Sequence, residues 1–455
     1  VVVASEAGPL LRRIFDQLGC RDHGTFLRRL AAHHEALGYG PMATRPEKAS
    51  RWKRGVRPDR YAEAAFADMV GVPIELARAM GWPHWLHLAL IDDRVLLTAP
   101  WTPAGALTAL EHLGRPVPMD RRAALFSGGV LAATLASWAA ASPAGAVVTS
   151  GRPQATARTA DLIDARLAAL RLLDDEIGSG RTYGLARAER DMVTEVLRTH
   201  SYSEATGRRL FSAAAEAARI CGWAAFDSGA IPEAERHYLG AARAAASAGD
   251  PVVQANILSF WAMARYSGGD TSGALAYVEQ ALTSATRTGS PRMIAMVHAR
   301  ASRAHAKAGD HNASRRAEEQ AFAVYDRAGD PAEEPACVYW VSKAELHSWA
   351  ASNAADLNSP RRALTHYAAI PNTQQETAYD SAAYPRSHAL RLTRQADAHL
   401  ALRDVDAAVH AADQAVHTLG GVTSSRSTGI LADLRGKLRA HRQVPLVRDF
   451  LERTV

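Results

Sequence analysis

The chain has 455 residues, a mass of 48.8 kDa and a formal net charge of +6, length enough for roughly two to four domains. Hydrophobic residues make up 47% and aromatics only 7%, which suits Ala-rich helical packing and argues against a β fold. Cys20, Cys221 and Cys337 are too widely spaced for a disulfide framework or a metal-binding cluster, so a reducing cytoplasm and no cofactor are expected, and the first residues show no secretory pattern.

Leu10, Leu11, Ile14 and Phe15 recur at a helical period and predict a helix over 5–19. Phe26, Leu27, Leu30, Ala31 and Leu37 predict a second over 24–37, and Gly38-Tyr39-Gly40-Pro41 then breaks the chain. Thr44 followed by Glu47 is a capping-box pattern, with Pro46 at a tolerated early position, so a short helix is expected over about 45–54. Ala49 and Trp52 would face inward, and Glu47, Lys48, Arg51 and Arg54 outward. Further helices are expected over 59–69 and from Ile74. Between Arg45 and Arg60, the seven basic residues Arg45, Lys48, Arg51, Lys53, Arg54, Arg57 and Arg60 stand against Glu47 and Asp59. A local basic field meets phosphates, or else is a solvated surface without a partner.

The run Ser50-Arg51-Trp52-Lys53-Arg54-Gly55, followed by Pro58, a helix and Gly71-Val72-Pro73, resembles the phage-repressor class of helix-turn-helix domain over roughly residues 24–80. The resemblance implies that Glu47, Lys48 and Arg51 face base edges of double-stranded DNA. Arg54, Arg57 and Arg60 would touch phosphates, with Arg45 in the same basic set. One departure stands out: the helix before the recognition helix normally opens on a Gln-containing string, and Gly38 to Thr44 is a shortened or irregular substitute. A domain that only packs on a neighbour is the alternative.

Residues 81–118 hold Trp82, Trp85, Trp101 and several prolines, and read as a compact connector. Arg121-Arg122 precede an uncharged stretch, Ala123 to Ala141. It resembles a twin-arginine signal or a membrane span, but it is internal and weakly apolar. A buried helix without stable membrane insertion is expected, with membrane contact as the alternative. Ser142 to Thr159 reads as a flexible linker.

Helices are expected over 159–177, 185–200 and 204–228. Then Gly229, Gly249, Gly269, Gly289, Gly309 and Gly329 recur every 20 residues, with Gly-Asp-Pro or Gly-Ser-Pro at every second one. A left-handed glycine stops a helix, Asp or Ser caps the next, and Pro fits its first position. The repeat is therefore a 40-residue helical hairpin. Small residues support it: Gly222, Ala262 and Ser302, then Ala234, Ala274 and Ser314, then Ala241, Ala281 and Ala321 mark close helix crossings. These spacings resemble the tetratricopeptide repeat, whose usual length is about 34 residues. The likeness covers residues 203–420 and returns at Ala396, Ala408 and Ala415. Asn353 to Pro360 reads as an insertion, 371–385 as a loop, and 426–441 and 445–455 as capping helices.

No phosphate-binding loop, His-Glu-x-x-His or Gly-x-Ser-x-Gly motif occurs, and no enzyme is expected. The tetratricopeptide resemblance implies that the first helix of each hairpin lines a concave face. Its columns would be Arg219, Ser259, Ala299 and Tyr339; Trp223, Met263, Arg303 and Lys343; and Phe226, Tyr266, Ala306 and Leu346, with Asn256, Met296 and Lys307 nearby. Arg219, Trp223, Asn256, Met263, Tyr266, Arg303, Lys307, Tyr339 and Lys343 are the candidate ligand-binding residues. The mixture suits a peptide or small anionic ligand, or is an ordinary solvated face. Arg303 and Lys343 are expected to face each other across adjacent hairpins, and Glu345 to point away.

The expectation is an all-α chain: a helix-turn-helix head (1–80), a connector (81–158) and a tetratricopeptide-like α-solenoid (159–455). This order resembles bacterial, actinobacterial-looking regulators that join a helix-turn-helix to a peptide-sensing repeat domain. It implies a cytoplasmic, homodimeric transcription regulator. The alternative is a scaffold or adaptor that uses the repeat groove and does not read DNA.

Overall fold

The computed structural model describes residues 7–114, 138, 141, 143–373, 384–420 and 424–454. The described residues are overwhelmingly helical, with two isolated β-bridges and no strand. The chain divides into two compact units, 1–141 and 142–455. None of the described helices is long and apolar enough to cross a membrane. The expected helix after Arg121-Arg122 lies outside the described residues, apart from Trp138 and Ala141.

The first unit begins with α1 (Ala7–Gln17), α2 (His23–Ala36), α3 (Pro46–Lys53), α4 (Arg60–Met69) and α5 (Ile74–Met80). Its core is a chain of rings: Phe15 on Phe26 at 4.3 Å, Phe26 on Phe66 at 5.1 Å and Phe66 on Trp85 at 5.1 Å. Residues 81–114 are largely helical, with a short 3-10 helix at His84–Ala89, α6 (Ile91–Thr98) and α7 (Pro103–Gly114). Glu63 is buried and answered, accepting from Arg57 at 2.9 Å and from the Trp85 indole at 3.0 Å.

One local expectation is corrected. The capping box at Thr44 does not form; Arg45 is the N-cap of α3 and makes no side-chain cap bond. Pro46 in the first turn supplies the fixed φ that starts the helix without that cap. Residues 37–45 contain no helix, so α2 and α3 are joined by the irregular link that Gly38 to Thr44 leads one to expect.

The second unit is a stack of helical hairpins. They are α8 (Ala157–Ile177) with α9 (Ser179–Thr199), α10 (Glu204–Asp227) with α11 (Ile231–Ala248), and α12 (Pro251–Ser267) with α13 (Thr271–Thr288). Next come α14 (Pro291–Lys307) with α15 (His311–Tyr325), α16 (Lys343–Asp356) with α17 (Pro360–Thr373), and α18 (Pro385–Ala401) with α19 (Val405–Leu419). From α10 onward, the first helices pack on one another, which is the tetratricopeptide-like arrangement. Then α20 (Ser425–Leu438) and α21 (Pro445–Arg453) bury Leu434, Leu438, Val447 and Phe450 against the last hairpin.

The turn chemistry is the one the spacing predicts. Gly229, Gly249, Gly269, Gly289 and Gly309 all have φ between 67° and 92°. Asp250, Asp270, Ser290 and Asp310 each cap the next helix through the side chain. The small-residue seam is equally literal. A Cβ on Gly222 would stand 2.6 Å from the Tyr238 ring. Ser302 Oγ donates to Ser314 O at 2.8 Å, and Ser314 Oγ donates back to Ser302 O at 3.1 Å.

The ladder fails at its sixth rung. Gly329 does not take a positive φ, and Pro331 opens only a short 3-10 helix, Pro331–Glu333. A second, Ala336–Val338, follows, and α16 begins at Lys343 rather than Pro331. The insertion therefore lies at 327–342. At Asn353 to Pro360 there is only a tight turn, with Asn358 at φ 56°. The segment expected as a flexible linker is also corrected. Val147 pairs with Tyr202 in both directions, at 3.0 and 2.8 Å, and Ala155 N donates to Ser201 O at 2.9 Å. Residues 143–156 are thus strapped to the repeat unit by their backbone.

Candidate functional site

In the first unit, α3 is anchored by Ala49 and Trp52, which are 1% and 3% exposed. Their spacing of three puts both on one helical face. The opposite face and its flanks present Arg45, Glu47, Arg51, Arg54, Arg57 and Arg60 to solvent. Arg45, Arg51 and Arg54 make no ion pair among the described residues. The others are partly engaged. Lys48 is half-buried, 3.5 Å from Asp59 and over the Trp52 ring; Arg57 holds Glu63; and Arg60 donates to and stacks on Tyr61.

In the second unit, the first helices of the stack line a cavity of about 520 Å³. From α10 come Arg219, Trp223 and Phe226; from α12, Phe260, Met263 and Tyr266; from α14, Arg300, Arg303 and Lys307. Beyond the break, α16 gives Glu345 and Trp349, α18 gives Arg386, Arg391 and Arg394, and α20 gives Arg426. The irregular link adds Cys337, Tyr339 and Trp340, and α8 adds Arg171, Asp174 and Asp175. Nine basic side chains face three acidic ones among the described lining residues.

Much of this charge is paired. Arg219 grips Glu216 with two bonds of 2.8 Å, and Arg171 reaches the same carboxylate at 3.0 Å. Burial works against ionisation of Glu216, but these two cations hold its carboxyl below the ordinary range. Arg303 and Lys307 share Asp356 at 2.7 and 2.8 Å. Arg386 sits 3.0 Å from Asp174, 3.1 Å from Asp175 and 3.7 Å from Asp227. Its guanidinium also lies 5.1 Å from the Trp223 ring centre. Tyr339 donates its hydroxyl to Asp175. Burial pushes the Arg426 guanidinium down to about 10 against the pull of Asp227, with Arg386 and Arg394 adding to the drop. Among the described residues, no group of His, Cys, Asp and Glu side chains could hold a metal ion.

Of the nine residues selected from the sequence, Arg219, Trp223, Met263, Tyr266, Arg303, Lys307 and Tyr339 line this one cavity. Two do not. Asn256 donates to Glu216 at 3.2 Å and lines a separate cavity of about 860 Å³. Lys343 reaches Asp326 at 3.1 Å instead of facing Arg303. The reason is the lost register: Lys343 is the first residue of α16, not a mid-helix residue in a 40-residue column. Glu345, expected to point away, lines the groove. Arg300 escaped selection because the column rule chose Ala299, one residue before it. Arg386, Arg391 and Arg394 escaped because they lie past the break, although their spacing on α18 already places them on neighbouring helical faces.

No family model matches the chain, and a search of curated proteins finds no match. Several solved structures align with it at low overall likeness, two of which serve as examples. One is BtubC (BKLC) from P. vanneervenii, at 15% identity, covering 53% of this chain and 90% of that one, with a TM-score of 0.37. The other is the APC/C hetero-tetramer Cut9–Hcn1, at 12% identity, covering 82% of this chain and 58% of that one, with a TM-score of 0.32. Likeness this low transfers neither fold nor function from those proteins.

Proposed function

We propose that this chain is a DNA-binding transcription regulator whose repeat unit takes an effector or protein partner bearing an anionic group. The observation that carries the DNA half is α3: buried Ala49 and Trp52 fix it, while Glu47, Arg51 and Arg54 are left exposed on the other side. An exposed, unpaired Arg is the side chain suited to guanine O6 and N7, and the flanking cations suit phosphates. The groove supports the sensing half, since its cations outnumber its carboxylates and aromatic faces stand among them. A homodimer in the cytoplasm, with two heads on a two-fold site, completes the reading.

Selection of preferred duplexes from a random pool by the full chain tests it, with affinity then followed against salt. Recovery of a common sequence, bound more weakly as salt rises, is the expected result. A second reading, a scaffold that does not read DNA, draws support from the irregular 37–45 link, which replaces the tight turn of a helix-turn-helix. Failure to enrich any sequence, together with capture of an acidic protein partner by the groove, would favour it.

A further inference from the structure

Six of the nine cations of the groove lie within 4 Å of a carboxylate, but Arg300 and Arg394 do not. Arg300 is 5% exposed, and its guanidinium reaches only two hydroxyls, Ser259 Oγ at 3.3 Å and Tyr266 at 3.2 Å. It lies 4.7 Å from the Trp349 ring centre and 5.5 Å from that of Phe260. Arg394 is held only by Ser352 Oγ at 2.9 Å. Neither makes an ion pair among the described residues. A desolvated cation without a counter-charge is costly to keep, and protein groups or a ligand must offset it. Both cations act on Glu345, a carboxylate that burial pushes toward its protonated form despite them.

Resting on the reading of this groove as the effector site, we propose that it holds the phosphate of a small phosphomonoester, gripped by Arg300 and Arg394 beside Glu345. A monocarboxylate would answer only one of the two guanidinium groups. A phosphomonoester carries about −1.5 to −2 at neutral pH and offers three acceptor oxygens, and the planar guanidinium fork matches phosphate geometry with paired hydrogen bonds. The organic part of the ester rests on Met263, Leu390 and Trp349, which line the same cavity. Its volume, about 520 Å³, is that of a small-molecule site.

The test is calorimetric titration of the full chain with phenyl phosphate, inorganic phosphate and benzoate at constant ionic strength. Phenyl phosphate is expected to bind at least about tenfold more tightly than benzoate, and more tightly above pH 6 than below, as its second proton leaves. Arg300→Lys and Arg394→Lys keep the charge and lose the fork, and each should weaken phenyl phosphate by about tenfold or more. Arg316→Gln, an exposed cation outside the groove, should not. Glu345→Gln removes a negative charge with little change of shape and should tighten phenyl phosphate at pH 8. Benzoate binding as well as phenyl phosphate would overturn the phosphate assignment and leave the anionic groove standing. Inorganic phosphate binding as tightly as the ester would remove the organic part. Binding unchanged in both lysine variants would put the site elsewhere, and no binding by any of the three anions would overturn the groove reading itself.

Discussion

Arg386 and Asp174 are 212 residues apart in the chain, and their side chains meet at 3.0 Å. One lies on α18 and the other on α8, so the contact fastens the first hairpin of the repeat unit to the sixth. Asp174 also accepts from Thr182 at 2.6 Å and from the Trp223 indole at 2.8 Å. Burial opposes its ionisation, yet the Arg386 charge and these bonds hold its carboxyl below the ordinary range. Arg386→Ala leaves Asp174 buried without its cation, whereas Asp227 keeps Arg426 at 3.4 Å. It is expected to cost roughly 3–5 kcal/mol, seen as a lower urea midpoint; an unchanged midpoint would mean that water already reaches the Asp174 carboxylate.

Asp175 titrates in the opposite sense to its neighbour. Burial lifts its carboxyl to about 6, against the Arg386 charge and the hydrogen bond from Tyr339, and the Asp174 charge adds to the rise. A carboxyl raised on folding keeps its proton in the native state after the unfolded chain has lost it. Its contribution therefore falls as pH rises from the ordinary carboxylate range to about 6, and is constant above that. Asp175→Asn is expected to remove this slope and to exceed the parent in stability above pH 6 by up to about 3 kcal/mol. Denaturation midpoints followed across that range check it, and parallel curves for the two proteins would contradict it.

Arg51→Ala and Trp52→Ala are adjacent substitutions with opposite expected signatures. The first removes an exposed fork and should weaken the preferred DNA site by roughly 1–3 kcal/mol without changing the melting of the first unit. The second removes a ring that is 3% exposed and should destabilise that unit by about 3–5 kcal/mol. Paired DNA-binding and thermal-unfolding measurements separate them. Equal DNA affinity of parent and Arg51→Ala would count against α3 as the reading helix.

Arg403 holds φ at 64° in the turn before α19, where earlier hairpins place glycine. A side chain there costs roughly 1–2 kcal/mol, and glycine gives part of that back through its entropy in the unfolded chain. Arg403→Gly is expected to stabilise the repeat unit by about 1 kcal/mol. A lower unfolding midpoint in the variant would show that the arginine side chain contributes more than its backbone costs.

The hairpins were legible because their determinants are local. A left-handed glycine, a capping side chain and a small residue at a crossing each act within one or two turns of helix, so Gly249, Asp250 and Gly222 could be read directly. The groove was legible mainly while the register held, and past the break only Tyr339 of the selected residues lines it. Up to α14 the column rule selects Arg219, Trp223, Phe226, Met263, Tyr266 and Arg303 correctly, includes Ser259, Ala299 and Ala306, which do not line the cavity, and misses Arg300 by one position. Past Gly329 the same rule places Lys343 inside and Glu345 outside, and the structure reverses both. The cause is that Gly329-Asp330-Pro331 has the composition of a turn but is followed by Pro335, which cannot supply the backbone donor an advancing helix needs. The meeting of Asp174 with Arg386 has no local signature, because it depends on the accumulated rotation of the intervening hairpins.

The irregular link at 327–342 separates what the groove recognises from what holds it up. Cys337, Tyr339 and Trp340 project from it into the cavity, while no glycine rung or helix crossing of the preceding hairpins depends on their identity. Recognition can thus be rewritten at those three positions, while Glu334, Val338 and Val341 of the same link stay bound to Ser290, Arg292 and the core. Exchange of the three alone would alter selectivity in a single graft, whereas a comparable edit on α12 or α14 would have to satisfy the packing of two neighbouring helices at the same time.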